Sequence, residues 1–406
     1  MIVRRAAASA AWLALILASP LAAQETAPAD PSPATVAMRW QLLNPEVNSF
    51  TFRDTDAVFE ARPVARSGPA WELPRREGFM LPEARAHGQP ASYDAFAEAT
   101  RTNALLVIRD GAIVFEDYRN RMQPSTRHIA FSMTKTITAM LVGQALARGE
   151  IASLDDRADK YVPELAQGGY GGATIRNLLE MRSGAAIEER YDFGENPSLA
   201  GRIHEQAIVL NRARFADFAV DVARRSAPGS EFNYATLDTA VLGWVLERAT
   251  GQPIEALMEQ RLWSPLGAEA DGFFLADGPP GTGRALNGMG FNATLRDFGR
   301  LGLLLLEDGV RDGERILPEG WVAAMTTMKP LPASAGFPGY GLQTWQVDDE
   351  PGAFAAVGLA GQMIYVHPVS RTVIVKLSYW QPVPEETVTP DTLAFFKAIA
   401  HAPDPR

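Results

Sequence analysis

His128-Ile129-Ala130-Phe131-Ser132-Met133-Thr134-Lys135 is the stretch on which the reading of this chain turns. Ser132 is the only serine followed three residues later by a lysine. On a helix that spacing sets both side chains on one face, so the lysine amine can lie against the hydroxyl and activate it as a nucleophile. Residues 128–131 form a short, mostly apolar lead-in. After Ser132, Ile137, Met140, Leu141 and Ala145 recur at three- and four-residue steps, and Gly149 is a helix stop. Ser132 is thereby expected at a helix N-terminus, where its backbone N–H points outward and the helix dipole favours negative charge developing near the hydroxyl. An exposed helix start can carry the same tetrapeptide by chance, so the surrounding sequence must decide.

Upstream, Leu105-Leu106-Val107-Ile108 and Ile113-Val114-Phe115 flank Asp110-Gly111, the pattern of two apolar strands joined by a tight turn. Downstream, residues 149–290 read as mainly helical: 175–181, 215–223, 237–250 and 254–262 have helix-like apolar spacing, with Gly184 and Gly251 as stops. After Asn292 the pattern is mixed, with a helix at 295–306, strands at 341–345, 354–358, 362–366 and 372–377, and a last helix from about 392 to 400. Strand pairs separated by short turns imply an antiparallel sheet. The expected fold class is α/β, an antiparallel sheet flanked by helices with an inserted all-helical region. The α/β region is read as 93–150 and 291–406, the helical region as 151–290. Residues 44–90 are rich in Pro, Arg and Phe without a period, so 24–92 is read as a linker and irregular chain over the surface.

Residues 1–23 carry Arg4 and Arg5, an apolar run from Ala6 to Ala18, and Leu21-Ala22-Ala23 before Gln24, the layout of a cleavable export signal; a short membrane anchor is the alternative. Export implies a periplasmic or secreted mature protein with no membrane span. Its formal charge moves from −10 to −12 as the two arginines leave. An acidic chain with no concentrated basic run is a poor partner for nucleic acid. There is no cysteine, which excludes disulfides, thiolate zinc sites and a cysteine nucleophile. The five histidines show no pair at metal-ligand spacing, and Gly278-Pro279-Pro280-Gly281-Thr282-Gly283 is followed by Arg284-Ala285 where a phosphate loop needs Lys and Ser or Thr. No metal or cofactor is implied.

A second chemical element precedes one inserted helix. Pro228-Gly229-Ser230-Glu231-Phe232 leads into Asn233-Tyr234-Ala235-Thr236, with Thr236 the expected N-cap of a helix reaching Gly251. A tyrosine before a helix start can project into a cleft, where a neighbouring lysine favours its phenolate; it can equally pack beneath its own helix. The ordered set of Ser132 and Lys135, a Pro-Gly turn with Tyr234, and a late glycine-bearing strand resembles the serine β-lactamase and penicillin-recognising superfamily, in its class C and esterase branch. The likeness extends over roughly residues 104–400 and includes Gly149-Glu150-Ile151, Thr174-Ile175-Arg176-Asn177-Leu178-Leu179, Ser183-Gly184 and Leu242-Gly243-Trp244. Residues 48–62, from Asn48-Ser49-Phe50 to Arg62, look like the leader of the 6-aminohexanoate-dimer hydrolase branch.

The resemblance implies acyl transfer: Ser132 attacks an ester or amide carbonyl, Lys135 and Tyr234 move its proton, and the backbone N–H groups of Ser132 and Leu359, next to Gly358, hold the oxyanion. Either Lys135 or Tyr234 can be the base, and both titrations are expected to move toward the working range. Tyr191 occupies the place of a pocket tyrosine in the aminohexanoate-oligomer branch, or is a loop residue packing on the helical region. Asn292 either hydrogen-bonds substrate or caps the helix after it. Two positions depart from the superfamily. Thr236 stands where an asparagine helps position lysine and substrate, and Ala356-Val357-Gly358 stands where a cation begins the late strand element. A β-lactam carboxylate thus loses its partner. The function expected is an exported serine hydrolase acting on small-molecule esters or linear amides. The alternatives are a β-lactamase or D,D-peptidase-type enzyme, or an idle binding protein of the same fold.

Overall fold

The computed structural model describes residues 30–381 and 386–403; the segment read as an export signal lies outside the described residues. Its centre is an eight-stranded sheet. In chain order the strands are β1 (Thr102–Arg109), β2 (Ala112–Tyr118), β3 (Lys329–Pro330), β4 (Gly339–Tyr340), β5 (Trp345–Gln346), β6 (Phe354–Gly358), β7 (Gln362–His367) and β8 (Thr372–Ser378). They stand in the order β3-β4-β5-β6-β7-β8-β1-β2, each pair antiparallel. Asp110 and Gly111 close the β1–β2 hairpin with φ of 48° and 76°, two consecutive left-handed residues whose twist matches that of the strands.

Five helices matter to the site: α1 (Tyr93–Ala99), α2 (Met133–Ala147), α3 (Thr236–Thr250), α4 (Leu295–Leu306) and α5 (Val388–His401). Along β1, Leu106 and Ile108 join the core that holds Phe298, Leu301 and Leu304 of α4, while Leu105 and Val107 join the one that holds Phe96 of α1 and Phe395 and Phe396 of α5. Covering both faces removes any need for alternation, which is why β1 carries an unbroken apolar run from Ala104 to Ile108. Helix α4 lies almost directly on the sheet. A Cβ on Gly302 would come 2.5 Å from Val373 Cγ1 and 2.7 Å from Ile364 Cγ2.

Helix α2 runs through the interior, every residue from Met133 to Ala145 buried. A helix buried all round holds its first residue rigidly, and that residue follows Ser132. Among the described residues no helix is long and apolar enough to cross a membrane.

Three expectations change. Residues 341–344, read as part of a strand, form the turn that joins β4 to β5, where Tyr340 pairs with Trp345. The stretch read as all-helical contains a strand, Gly272–Leu275, which pairs with Ala61–Val64 and with Phe291–Ala293; His128–Ile129 completes this second, four-stranded sheet. All four residues of Gly272–Leu275 are buried, so the run carries no alternation and is too short for its period to be read. The leader is likewise built into the body. Phe52 is fully buried and sits edge-on to Phe131 at 4.9 Å between ring centroids. The leader's strand, Ala61–Val64, is hard to read because it is a four-residue edge strand containing Pro63.

The α4 contact yields a stability prediction. Gly302→Val places methyl groups into Val373 and Ile364 and should lower the free energy of unfolding by about 1–3 kcal/mol, the usual cost of overpacking. Urea denaturation checks it, and an unchanged midpoint would contradict the close approach.

Candidate active site

Ser132 is delivered by a rigid approach. The strand His128–Ile129 pairs with Phe291–Ala293, and Ala130 N donates to Phe291 O at 2.8 Å. His128 is fully buried between Ile129 O at 3.0 Å from Nδ1 and Asn103 Nδ2 at 3.2 Å from Nε2, and burial pushes its pKa down to about 3. A neutral imidazole locked on both nitrogens is structural, not a base. Phe131 then adopts φ of 44°, a left-handed conformation that costs a non-glycine residue of order 1 kcal/mol or more and is held here by its burial against Phe52. The turn leaves Ser132 half-buried at the head of α2 among fully buried neighbours.

Lys135 has 1% of its surface exposed and three partners: Ser132 Oγ at 2.9 Å, Thr236 Oγ1 at 2.9 Å and Gly288 O at 2.8 Å. The directions of these bonds can be worked out. A carbonyl only accepts, so Gly288 takes one N–H. The Thr236 hydroxyl gives its own proton to Glu189 Oε1 at 2.6 Å, so toward Lys135 it too can only accept. When the lysine is neutral, its two N–H groups are therefore committed and its lone pair is left for Ser132. Burial favours that neutral form, bringing the Lys135 pKa down to about 8 against the opposing pull of Glu189 and Asp238.

Tyr234 departs from expectation. Lys135 Nζ lies over the face of its ring, 5.1 Å from the centroid, where an ammonium interacts with π electrons more than with the phenol oxygen. Burial of the phenol dominates and raises its pKa well above the ordinary value, with Glu189 adding to the rise and a hydrogen bond with Ser132 working against it. Tyr234 is thus a protonated phenol next to the nucleophile. Only the lysine titration moves toward neutrality.

Glu189 is the residue that sequence reasoning missed. Helix α3 starts at Thr236, one residue earlier than expected, and its N-cap is Ala235, which has no side chain able to cap. Glu189 caps it from another segment, accepting Thr236 N at 2.8 Å through Oε2 as well as the Thr236 hydroxyl through Oε1. A carboxylate at this end also complements the helix dipole. Tyr191 exposes 38% of its surface but turns its hydroxyl onto Glu189 Oε1 at 2.5 Å, and burial of that phenol raises its pKa well above the usual range. Beneath, buried Asp238 accepts from Tyr170 at 2.7 Å and Ser183 at 2.8 Å, and burial lifts it to about 7. In Ile187-Glu188-Glu189-Arg190-Tyr191 nothing distinguishes Glu189 from a solvated loop acid.

The end of β6 closes the other side. A Cβ on Gly358 would fall 2.3 Å from Ala130 O, so only glycine lets this strand lie against the segment that feeds Ser132. The turn after it is pinned: Gln362 Nε2 donates to Leu359 O at 3.0 Å and to Ser378 O at 2.8 Å, and Trp380 N donates to Ala360 O at 3.1 Å. Ala360 has φ of 59°. Leu359, its side chain exposed, thus follows directly on the strand end that touches the nucleophile's approach. Ala356 is buried in the core and supplies no charge.

Asn292 is not part of this gathering. Fully buried, it accepts from Thr55 Oγ1 at 2.9 Å and donates to Gly290 O at 2.9 Å, while Thr294 caps α4 by accepting from Asp297 N at 3.2 Å. With both ends of its amide so committed, it does not cap the helix; it ties the leader to the small sheet. Next to Tyr234, an uncharged cleft of about 460 Å³ opens between Phe232, Phe337 and Trp345. Tyr340 is buried behind it, 4.5 Å from Trp345 between ring centroids. Among the described residues, the one set of three His or carboxylate ligand atoms close enough to share a metal is Glu350, His367 and His401, remote from this site.

Residues 92–397 match the family model described as Beta-lactamase. The 6-aminohexanoate-dimer hydrolase of Paenarthrobacter ureafaciens is 30% identical over 296 residues, covering 70% of this chain and 74% of that protein. Esterase EstB of Burkholderia gladioli is 32% identical over 195 residues, 45% of this chain and 47% of that protein. A solved structure from Bacillus anthracis, described as a 6-aminohexanoate-dimer hydrolase, superposes with a TM-score of 0.80 at 24% identity over 91% of this chain and 98% of its own, a likeness of fold. Since the family match begins just before α1 and runs into α5, it takes in the whole eight-stranded sheet together with Ser132, Lys135, Glu189, Tyr234 and Gly358, and the chain belongs to the beta-lactamase family of serine hydrolases.

Proposed function

We propose that this chain is an exported hydrolase that cleaves esters or small linear amides through an acyl-enzyme on Ser132. The observation that carries the reading is the lone pair of Lys135, left facing Ser132 Oγ by the commitments of Gly288 and Thr236. Neutral Lys135 takes the hydroxyl proton as Oγ bonds to the substrate carbonyl carbon. The carbonyl oxygen becomes an anion, held by the backbone N–H groups of Ser132 and Leu359. On collapse the bond to the leaving alcohol or amine breaks, and the leaving atom takes the proton that Lys135 accepted, which restores the neutral amine while the Tyr234 phenol stays protonated beside it. Water then attacks the acyl-enzyme by the same steps in reverse.

The substrate class follows from what the site lacks in charge. The cleft beside Tyr234 is lined by aromatic and small uncharged groups, and Ala356 stands where a substrate carboxylate would need a cation. Relatives described as a 6-aminohexanoate-dimer hydrolase and an esterase support amide and ester bonds. The basic and apolar layout of residues 1–23 supports export.

Ser132→Ala should abolish hydrolysis of p-nitrophenyl esters and labelling by a fluorophosphonate while leaving the circular dichroism unchanged. Normal turnover by this variant would refute the nucleophile, and a wild type that takes no label would favour an idle binding protein.

Short-chain p-nitrophenyl esters should exceed nitrocefin in kcat/KM by at least roughly tenfold, the worth of one absent charge-assisted hydrogen bond. Nitrocefin proving the better substrate would overturn the reading of Ala356.

The pH profile tests the base. Because neutral Lys135 is the active form, kcat/KM should rise through about pH 8 and level off above it. Glu189→Gln removes the charge that most supports the ammonium against burial, so the limb should move to lower pH. A limb that stays in place or moves to higher pH in this variant would show that Glu189 does not act on the base.

A further inference from the structure

At the end of β7 away from the serine, three side chains converge that hydrolysis does not use. His367 ends β7, His401 ends α5 and Glu350 lies between β5 and β6. Their ligand atoms all lie within 4.8 Å of one another. Glu350 Oε2 is 2.9 Å from His401 Nε2 and 3.5 Å from His367 Nε2. The other carboxylate oxygen is 2.6 Å from Lys397 Nζ, which also lies 3.0 Å from Asp349 Oδ1. Lys397 thus orients the carboxylate and leaves Oε2 turned to the imidazoles.

His367 makes this more than a surface ion pair. It is 1% exposed, and its Nε2 has no hydrogen-bond partner. Across the ring, Nδ1 lies 2.8 Å from Ser370 Oγ and 3.1 Å from Ser370 N. The Ser370 hydroxyl gives its proton to Thr372 Oγ1 at 2.8 Å, so its lone pairs are left for an N–H at Nδ1. That tautomer aims a bare Nε2 lone pair, out of water, at a carboxylate oxygen. In the other tautomer Ser370 N–H bonds Nδ1, and the Nε2 proton points at Glu350 without bonding it. The first deprives the Ser370 N–H of Nδ1 as its acceptor and leaves Nε2 bare, the second leaves the Nε2 proton 3.5 Å from Glu350 Oε2, and a cation bound between Nε2 and Oε2 uses the lone pair that the first exposes.

Two imidazoles and one carboxylate are a ligand set for borderline divalent ions such as zinc, held at about 2.0–2.2 Å from each donor with a fourth position for water. Hard ions such as calcium want more oxygen donors than remain here. We propose that Glu350, His367 and His401 form a binding site for a zinc-class divalent cation that ties the end of α5 to the sheet. The ion bridges the last residue of the helix, the last residue of β7 and the loop before β6, so its effect is on stability and not on the serine.

Zinc titrated calorimetrically into tag-free protein stripped with EDTA should bind one ion per chain and raise the unfolding temperature. Cobalt in its place should show the visible bands of a low-coordinate ion with nitrogen ligands. His401→Ala, at an exposed position, should weaken zinc binding at least about tenfold and cancel the thermal shift, with labelling of Ser132 unchanged. Glu350→Gln should do the same. A wild type that takes up no zinc at micromolar concentration, or binding that both variants retain, would reduce the trio to a histidine–glutamate ion pair and overturn the proposal.

Discussion

A lysine almost wholly removed from water is the constraint on which this molecule is built. Burying an ammonium without partners is prohibitive, and a buried group responds by pairing or by shedding its charge. Lys135 does some of both. Three oxygen atoms surround its nitrogen, two carboxylates support the charge from further out, and burial still wins enough to leave the amine half-titrated near pH 8. Each partner comes from a different part of the chain: Ser132 from the head of α2, Thr236 from the head of α3, and Gly288 from the segment between two strands of the small sheet, Gly272–Leu275 and Phe291–Ala293. At the Lys135 nitrogen the inserted region and the α/β body are joined by hydrogen bonds, alongside others such as Thr138 Oγ1 to Asn287 O and Gln343 Nε2 to Leu178 O.

A second constraint is steric. The segment that leads into Ser132 and the strand that ends at Gly358 run closer together than side chains allow, and Gly358 against Ala130 O is where that happens. On either side of this contact a non-glycine residue takes a left-handed turn, Phe131 before the serine and Ala360 after Leu359. Strain of this kind persists only where surrounding packing over-determines it. Phe52 from the leader supplies part of that packing through Phe131, and the Gln362 side chain supplies the rest by bonding the turn carbonyls. The leader thus helps to hold the turn that carries Ser132.

What sequence could show depended on range. The β1–β2 hairpin was legible because its strands and its Asp-Gly turn are adjacent, and β6 and α4 fell on the expected residues because their signals are local. Ser132 and Lys135 were legible through helical spacing, and Tyr234 through its turn. Glu189 was not, since its role is to cap a helix 47 residues away. Asn292 misled because a polar residue just before a helix reads as a cap or a ligand, whereas its partner is Thr55 in the leader. The Tyr234 titration was misjudged because spacing cannot say whether a cation lies beside the phenol oxygen or over the ring. The strand Gly272–Leu275 and the meeting of His367 with His401 are both products of pairing across the fold, and neither leaves a periodic trace.

The two departures from the superfamily pattern have different consequences. Ala356 removes a charge, and nothing in the neighbouring cleft replaces it. Thr236 changes a hydrogen-bonding group, and the structure compensates. An unassisted threonine hydroxyl can offer its proton to the lysine lone pair, which would occupy the electrons that have to accept the serine proton. Glu189 draws that proton away at 2.6 Å, so the hydroxyl can only accept from Lys135. The same carboxylate caps α3 where Ala235 cannot, and its charge limits how far burial weakens the lysine as a base. Thr236 and Glu189 therefore act as one unit: without the acid the threonine competes for the lone pair, and without the threonine the acid has no route by which to direct it.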